Sequence, residues 1–166
     1  MNALFSYYSK PALYEGKIVV NNAGFVYSWG LSVNLAKKHF DKLILVTDTK
    51  GKELLIDKLN LPFDEVDTSF DLLNEVDFKL FSYPKIIAMD KQTEPFVYID
   101  YDVFLFNSIN VIPDIIVQSV NGFTNSNNTY YTTLVNQLAA LGYNNSVFLN
   151  REENINYGYN LGIIGG

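Results

Sequence analysis

EPFVYIDYDVFLF, residues 94–106, decides how the chain is read. From Phe96 to Phe106 it is aromatic and β-branched, the profile of a buried strand, yet Asp100 and Asp102 interrupt it. Burying a charge is costly unless it is paired or bound to a metal. The acids therefore mark where the strand leaves the core and meets a site. On extended backbone the i, i+2 spacing points both carboxylates to one side, and two like charges that close call for a cation between them. Mn²⁺ or Mg²⁺ suits that need, because a hard divalent ion prefers oxygen ligands and keeps positions for water or phosphate. The plainer alternative is a pair of acids capping nearby backbone amides.

The flanking segments place this strand in a sheet. Residues 3–8, ALFSYY, read as a first strand, and LILVTD, 43–48, as a short apolar strand that stops at an acid. KIVVNNAGF is ambiguous, since its β-branched residues favour a strand and NNAG favours a turn. Ser28 is placed to cap a helix from Trp29 to Phe40 with Leu31, Leu35 and Ala36 on one face. GKELLIDKL, 51–59, reads as helix, and LPFDEV returns to extended structure. Pro84 suits the first turn of a helix within 78–92, with Leu80 and Phe81 stapling its start. A further helix is expected over 130–143, with Leu134, Leu138 and Leu141 in register, and YNLGIIGG reads as a strand entering a glycine turn. Apolar strands alternating with helices predict an α/β fold, a three-layer α/β/α sandwich around a mostly parallel sheet. Ligands of such sheets bind beyond the carboxyl ends of the strands, where LILVTD and FVYIDYD deliver their acids.

Composition narrows the chemistry. The chain has 166 residues, a net charge of -6 and no cysteine. Thiolate catalysis, disulfides and cysteine-held metals are excluded. The acidic balance argues against a nucleic-acid partner, which would call for a basic face. All eleven lysines lie between Lys10 and Lys91, and asparagine takes over as the polar residue after Asp102. This is the pattern of two halves of one domain, 1–166. No apolar run approaches the roughly 18 residues of a membrane span, and no basic-then-apolar leader opens the chain, so a cytoplasmic protein is expected. No Walker A sequence and no GxGxxG is present, which leaves a P-loop or dinucleotide fold without support.

LVTD, then YPKIIAMDKQTEPFVYIDYDVFLF, then YGYNLGIIGG together resemble nucleotide-sugar glycosyltransferases of the GT-A fold, which is Rossmann-like. The similarity is closer to a bacterial family of glycosyltransferase-like proteins. The resemblance implies that Asp100 and Asp102 hold Mn²⁺ or Mg²⁺ on the diphosphate of a UDP- or GDP-linked sugar donor. It implies that Asp48 lies near the donor's base or ribose, that Lys85 faces the donor, and that Asn160, Leu161 and Gly162 line the sugar or acceptor pocket. Tyr101, like Tyr7 and Tyr8, is a candidate to stack on a base or sugar, against the plainer role of half-buried packing. Such enzymes usually continue well past the Asn-x-Gly strand, so the resemblance implies a nucleotide-sugar-binding domain lacking its acceptor portion. His39 lies in an early helix and is a poor candidate for the metal.

Three functions compete on these residues. The leading expectation is a metal-dependent glycosyltransferase acting on an unidentified acceptor. The second is a nucleotide-binding or interaction module that transfers nothing. The third is a haloacid-dehalogenase-like phosphohydrolase with Asp100 as nucleophile. It is disfavoured because Phe104 stands where Thr or Val is usual and no lysine follows Lys91. An apolar final strand, if left open, would invite pairing with a second copy in a homodimer.

Overall fold

The computed structural model describes residues 1–10, 23–76, 82–109, 116–122 and 157–165, and only the backbone over 116–122 and 157–161. These fall into two compact units, Met1–Ile116 with Gly162–Gly166, and Val117–Leu161. In chain order the elements are β1 (Asn2–Tyr7), α1 (Ala23–Ala36), β2 (Lys42–Thr47), α2 (Thr49–Lys52), β3 (Glu65–Asp67), α3 (Tyr83–Asp90), β4 (Phe96–Ile99), β5 (Ile116–Gly122) and β6 (Tyr157–Gly165). A π-helical stretch, Glu53–Lys58, continues α2, and a 3-10 turn spans Ser69–Leu73. The expected helix over 130–143, Leu80 and Phe81 lie outside the described residues. Among the described residues no helix is long and apolar enough to cross a membrane.

The first unit is a mixed α/β fold on a five-stranded, mostly parallel sheet in the order β3-β2-β1-β4-β6. β1 runs parallel to β2, with Tyr7 opposite Thr47, and parallel to β4, with Leu4 opposite Tyr98. β6 is antiparallel to β4, Ile163 facing Ile99 and Gly165 facing Val97. In the second unit β5 neighbours the first part of β6. Gly165 is required by close approach, since a Cβ there would stand 2.4 Å from the Phe96 carbonyl and 2.9 Å from Val97 Cα.

Alternate strand residues feed two cores, as the period of an extended chain dictates. Ala3, Phe5, Leu43, Leu45, Val97 and Ile99 pack with Phe25, Trp29 and Val33 of α1 and with Leu54 and Leu55. Leu4, Ile44, Val46 and Tyr98 pack with Phe70 and with Ala88 of α3. Strands buried on both sides read as continuous apolar runs, which is why Leu43–Val46 shows no polar alternation.

Three local expectations are corrected. α1 begins by Ala23, so Ser28 lies inside the helix and caps nothing. Its buried face is Phe25, Trp29, Ser32, Val33 and Ala36, whereas Leu31 faces solvent. Packing of the Phe25 and Trp29 rings on the sheet outweighs the cap preference of Ser28, because tertiary burial overrides local propensity. β4 ends at Ile99 rather than running to Phe106, because Val103 N–H closes onto the Asp100 carbonyl at 3.0 Å. Asp100 and Asp102 therefore belong to a turn, and strand alternation does not align them. α3 does begin around Pro84, whose missing N–H costs nothing in a first turn. The π-helical stretch ends at Lys58, and just beyond it Asn60 takes a left-handed φ of 49° that asparagine tolerates.

Candidate functional site

Three neighbouring parallel strands end on one edge of the sheet, and their exits carry the polar groups. β2 is followed by Asp48, β1 by Tyr8, Ser9 and Lys10, and β4 by Asp100, Tyr101 and Asp102. β1 connects onward to the β2 side of the sheet, while β4 lies on its other side. The strand order reverses between β1 and β4, and that is where open parallel sheets hold ligands.

Asp48 is buried and committed to the backbone. Its Oδ1 accepts the Gly51 N–H at 2.7 Å, and its Oδ2 accepts the Ser9 N–H at 3.1 Å and the Ser9 hydroxyl at 2.5 Å. It is the N-cap of α2, and it ties the end of β1 to the end of β2. Thr47 reinforces the tie by donating its hydroxyl to the Tyr7 carbonyl at 2.6 Å. Gly51 leaves room for it: a Cβ would stand 2.0 Å from Thr47 Oγ1. Beside this junction opens a cleft of about 670 Å³ lined by Ser9, Lys10, Asp48, Thr49, Lys50 and Asp71, among others. Asp71 accepts the Thr49 N–H at 2.9 Å and its hydroxyl at 2.6 Å, and these bonds hold its carboxyl below the usual range.

Asp100 and Lys85 meet across the other side of β1. Lys85 Nζ lies 2.9 Å from both carboxylate oxygens, with each side chain largely sheltered. The same ammonium sits 4.7 Å above the ring of Tyr98, a cation–π contact. The Tyr98 hydroxyl is 2.8 Å from Ser6 Oγ. Burial first, and then the Asp100 charge, push that phenol far upward, so it stays protonated. Gly162 belongs here too, accepting the Asp100 N–H at 2.8 Å through its carbonyl. Asn160 lies on β6, and its side chain is outside the described residues.

Tyr101 turns the opposite way. It stacks on Trp29 at 5.4 Å and 11°, and contacts Phe25 at 5.4 Å. Trp29 is fully buried, and its indole N–H has no hydrogen-bond partner among the described residues. Tyr7 meets Trp29 edge-on; burial, then Asp48, then Tyr101 push its phenol up to about 12. Asp102 is exposed, and no hydrogen bond or ion pair engages it among the described residues. His39 lies 3.2 Å from the Leu105 carbonyl through Nε2, a tether for the segment after the turn. Among the described residues no three His, Asp or Glu side chains cluster as a metal site.

A family model for a family of unknown function, DUF6734, matches residues 11–166. The chain belongs to that family. No curated protein and no solved structure matches it.

Asp48, Lys85, Asp100, Tyr101 and Asp102 of this family member thus gather along the carboxyl edge of β2, β1 and β4, in two neighbourhoods. One is the Asp48 junction with its cleft, and the other is the Asp100–Lys85 pair with Asp102 beside it. Tyr98, Ser6, Ser9 and Asp71 went unnoticed in the sequence. Tyr98 was the one open to detection, because it precedes Asp100 by two and so shares its side of β4.

Proposed function

We propose that the chain is the donor-binding part of a metal-dependent glycosyltransferase with a GT-A-like, three-layer α/β/α fold. The donor would be a UDP- or GDP-linked sugar. One observation carries the reading: Asp100-Tyr101-Asp102 leaves the sheet at the end of β4 beside β1, where the strand order reverses. The two separate cores fed by alternate strand residues support the layered fold.

The donor set fits a hard divalent ion. Asp102 offers a carboxylate without a partner among the described residues, and Asp100 offers a second one already adapted to a cation, the Lys85 ammonium. Mn²⁺ or Mg²⁺ held by Asp102 and Asp100 would supply countercharge to a diphosphate leaving group. Lys85 adds a protein-borne positive charge for the same phosphates. Tyr101, backed by Trp29, holds the turn that carries both acids, and Gly162 fixes the Asp100 amide. The cleft beside Asp48 and Lys10 would take the rest of the nucleotide.

Calorimetry with UDP and with GDP, each with and without Mn²⁺, tests the reading. Metal-dependent binding by the wild-type chain that is lost in Asp102→Ala is expected. The thermal midpoint should stay within about 1–2 °C, since an exposed side chain without partners adds within roughly 0.5 kcal/mol. Sugar release from UDP- or GDP-sugars then separates an enzyme from a module that only binds. Phosphatase activity abolished by Asp100→Asn, without nucleotide affinity, would replace this reading with the phosphohydrolase.

A further inference from the structure

The Asp100 carboxylate already has a cation, and it belongs to the protein. Lys85 Nζ lies 2.9 Å from each oxygen, so both of the acid's oxygens are engaged by one ammonium. The ammonium is also held from below. It sits 4.7 Å above the Tyr98 ring, whose hydroxyl is in hydrogen-bond contact with Ser6. Asp102, two residues on, is exposed and without hydrogen bond or ion pair among the described residues. The two acids of the motif therefore start from unequal positions: one is ready for an ion, and the other has to give up a lysine first.

We propose that Lys85 is a built-in competitor for the divalent ion at Asp100, so that metal and diphosphate bind weakly apart and tightly together. A metal ion arriving alone meets Asp102 and a carboxylate already neutralised. A diphosphate arriving alone meets a lysine already paired. When both arrive, the phosphate oxygens take the ammonium, and the freed Asp100 carboxylate takes the ion. Each ligand removes the cost that the other would otherwise bear, and by linkage the gain is equal in both directions. The proposal rests on the donor-binding reading and adds the coupling of metal and diphosphate binding. It also predicts that the apo protein keeps its site assembled without any metal, because Lys85 supplies the countercharge.

The test measures Mn²⁺ alone, by the electron paramagnetic resonance signal of the free ion, against the whole chain. Lys85→Met and Lys85→Gln are compared with wild type, and Lys85→Met is repeated in an Asp100→Asn background. Charge-assisted pairs of this partly sheltered kind set a roughly tenfold scale. Both Lys85 variants should bind Mn²⁺ alone roughly tenfold more tightly than wild type, with the gain absent in the Asp100→Asn background. Wild type should show mutual enhancement of Mn²⁺ and UDP or GDP, and the Lys85 variants should lose most of it. Mn²⁺ affinity unchanged or lowered in both Lys85 variants overturns the proposal; if wild type still binds nucleotide with metal, the donor reading stands. Tighter Mn²⁺ binding in the variants with no nucleotide affinity in any form keeps the competition and overturns the donor reading. No binding of any ligand to any form overturns both.

Discussion

Asp48→Ala offers the sharpest check on how the site is held. In the folded chain this carboxylate accepts three hydrogen bonds, from Gly51 N–H at 2.7 Å, Ser9 N–H at 3.1 Å and Ser9 Oγ at 2.5 Å. Alanine removes both acceptor oxygens and with them all three bonds. The lost N-cap costs about 0.5–2 kcal/mol. Ser9 is itself buried, so its stranded amide adds about 1–3 kcal/mol, less whatever a water entering the gap restores. A net loss of about 2–4 kcal/mol follows, which for a chain of this size lowers the melting midpoint by roughly 5–15 °C. Asp48→Asn keeps one oxygen for Gly51 but turns an NH₂ toward the Ser9 amide, so about half of that loss is expected. A second variant, Ser9→Ala, should cost less in the Asp48→Ala background than alone, because the two share their bonds. Circular dichroism melts at neutral pH without nucleotide read wild type and all four variants. If Asp48→Ala melts within about 2 °C of wild type, the account of this strand–helix junction is wrong. If it melts normally and loses only nucleotide affinity, Asp48 works on a ligand and not on the chain.

Two further outcomes follow from the aromatic side of the site. Tyr7 is held neutral by burial and by Asp48, its phenol raised from 10.0 to about 12. Below pH 10 folded and unfolded chains both keep the proton; above it the unfolded chain releases its proton first. Stability should therefore fall as pH rises from about 10 toward 12, and Tyr7→Phe should flatten that slope in urea unfolding series. An equal slope in the variant would show that Tyr7 contributes none of it. Trp29 is the chain's single tryptophan and is stacked under Tyr101, so its fluorescence reports on the turn. Tyr101→Ala should shift that emission to the red and cost roughly 0.5–1.5 kcal/mol beyond the lost burial. An unchanged spectrum would refute the stacking.

Much of the sheet was legible, and the reason is physical. β1, β2 and β4 are short apolar runs, and a strand buried on both faces has no other way to look. Each exit is polar because the chain has left the core. Ser28 is a local signal, while Phe25 and Trp29 of α1 answer to ring contacts with Tyr7 and Tyr101, residues far away in sequence. A leucine count put the buried face on Leu31, whereas the sheet selected the larger rings four residues apart. Lys85 and Asp100 were each singled out, but not as a pair. Their contact depends on α3 packing its Ala88 into the second core, which no spacing reveals.

The motif itself shows the limit most clearly. Read as a strand, Asp-Tyr-Asp sends its two acids one way and its tyrosine the other. The observed chain agrees about Tyr101, which lies on Trp29 of α1, and about Asp100, which lies on Lys85 of α3. It departs at Asp102, because the Val103 N–H bond back to Asp100 has already ended the extended chain. A sequence signal existed: aspartate is favoured at the first position of such a turn, where Asp100 stands. The apolar VFLF that follows hid it by resembling more strand. Half of that run proves to be surface, since Phe104 and Phe106 are exposed, while Val103 and Leu105 pack against the first core. The turn thus leaves Asp102 in solvent and Asp100 against its lysine. The inequality between the two acids is a property of one backbone hydrogen bond and not of the D-x-D spacing.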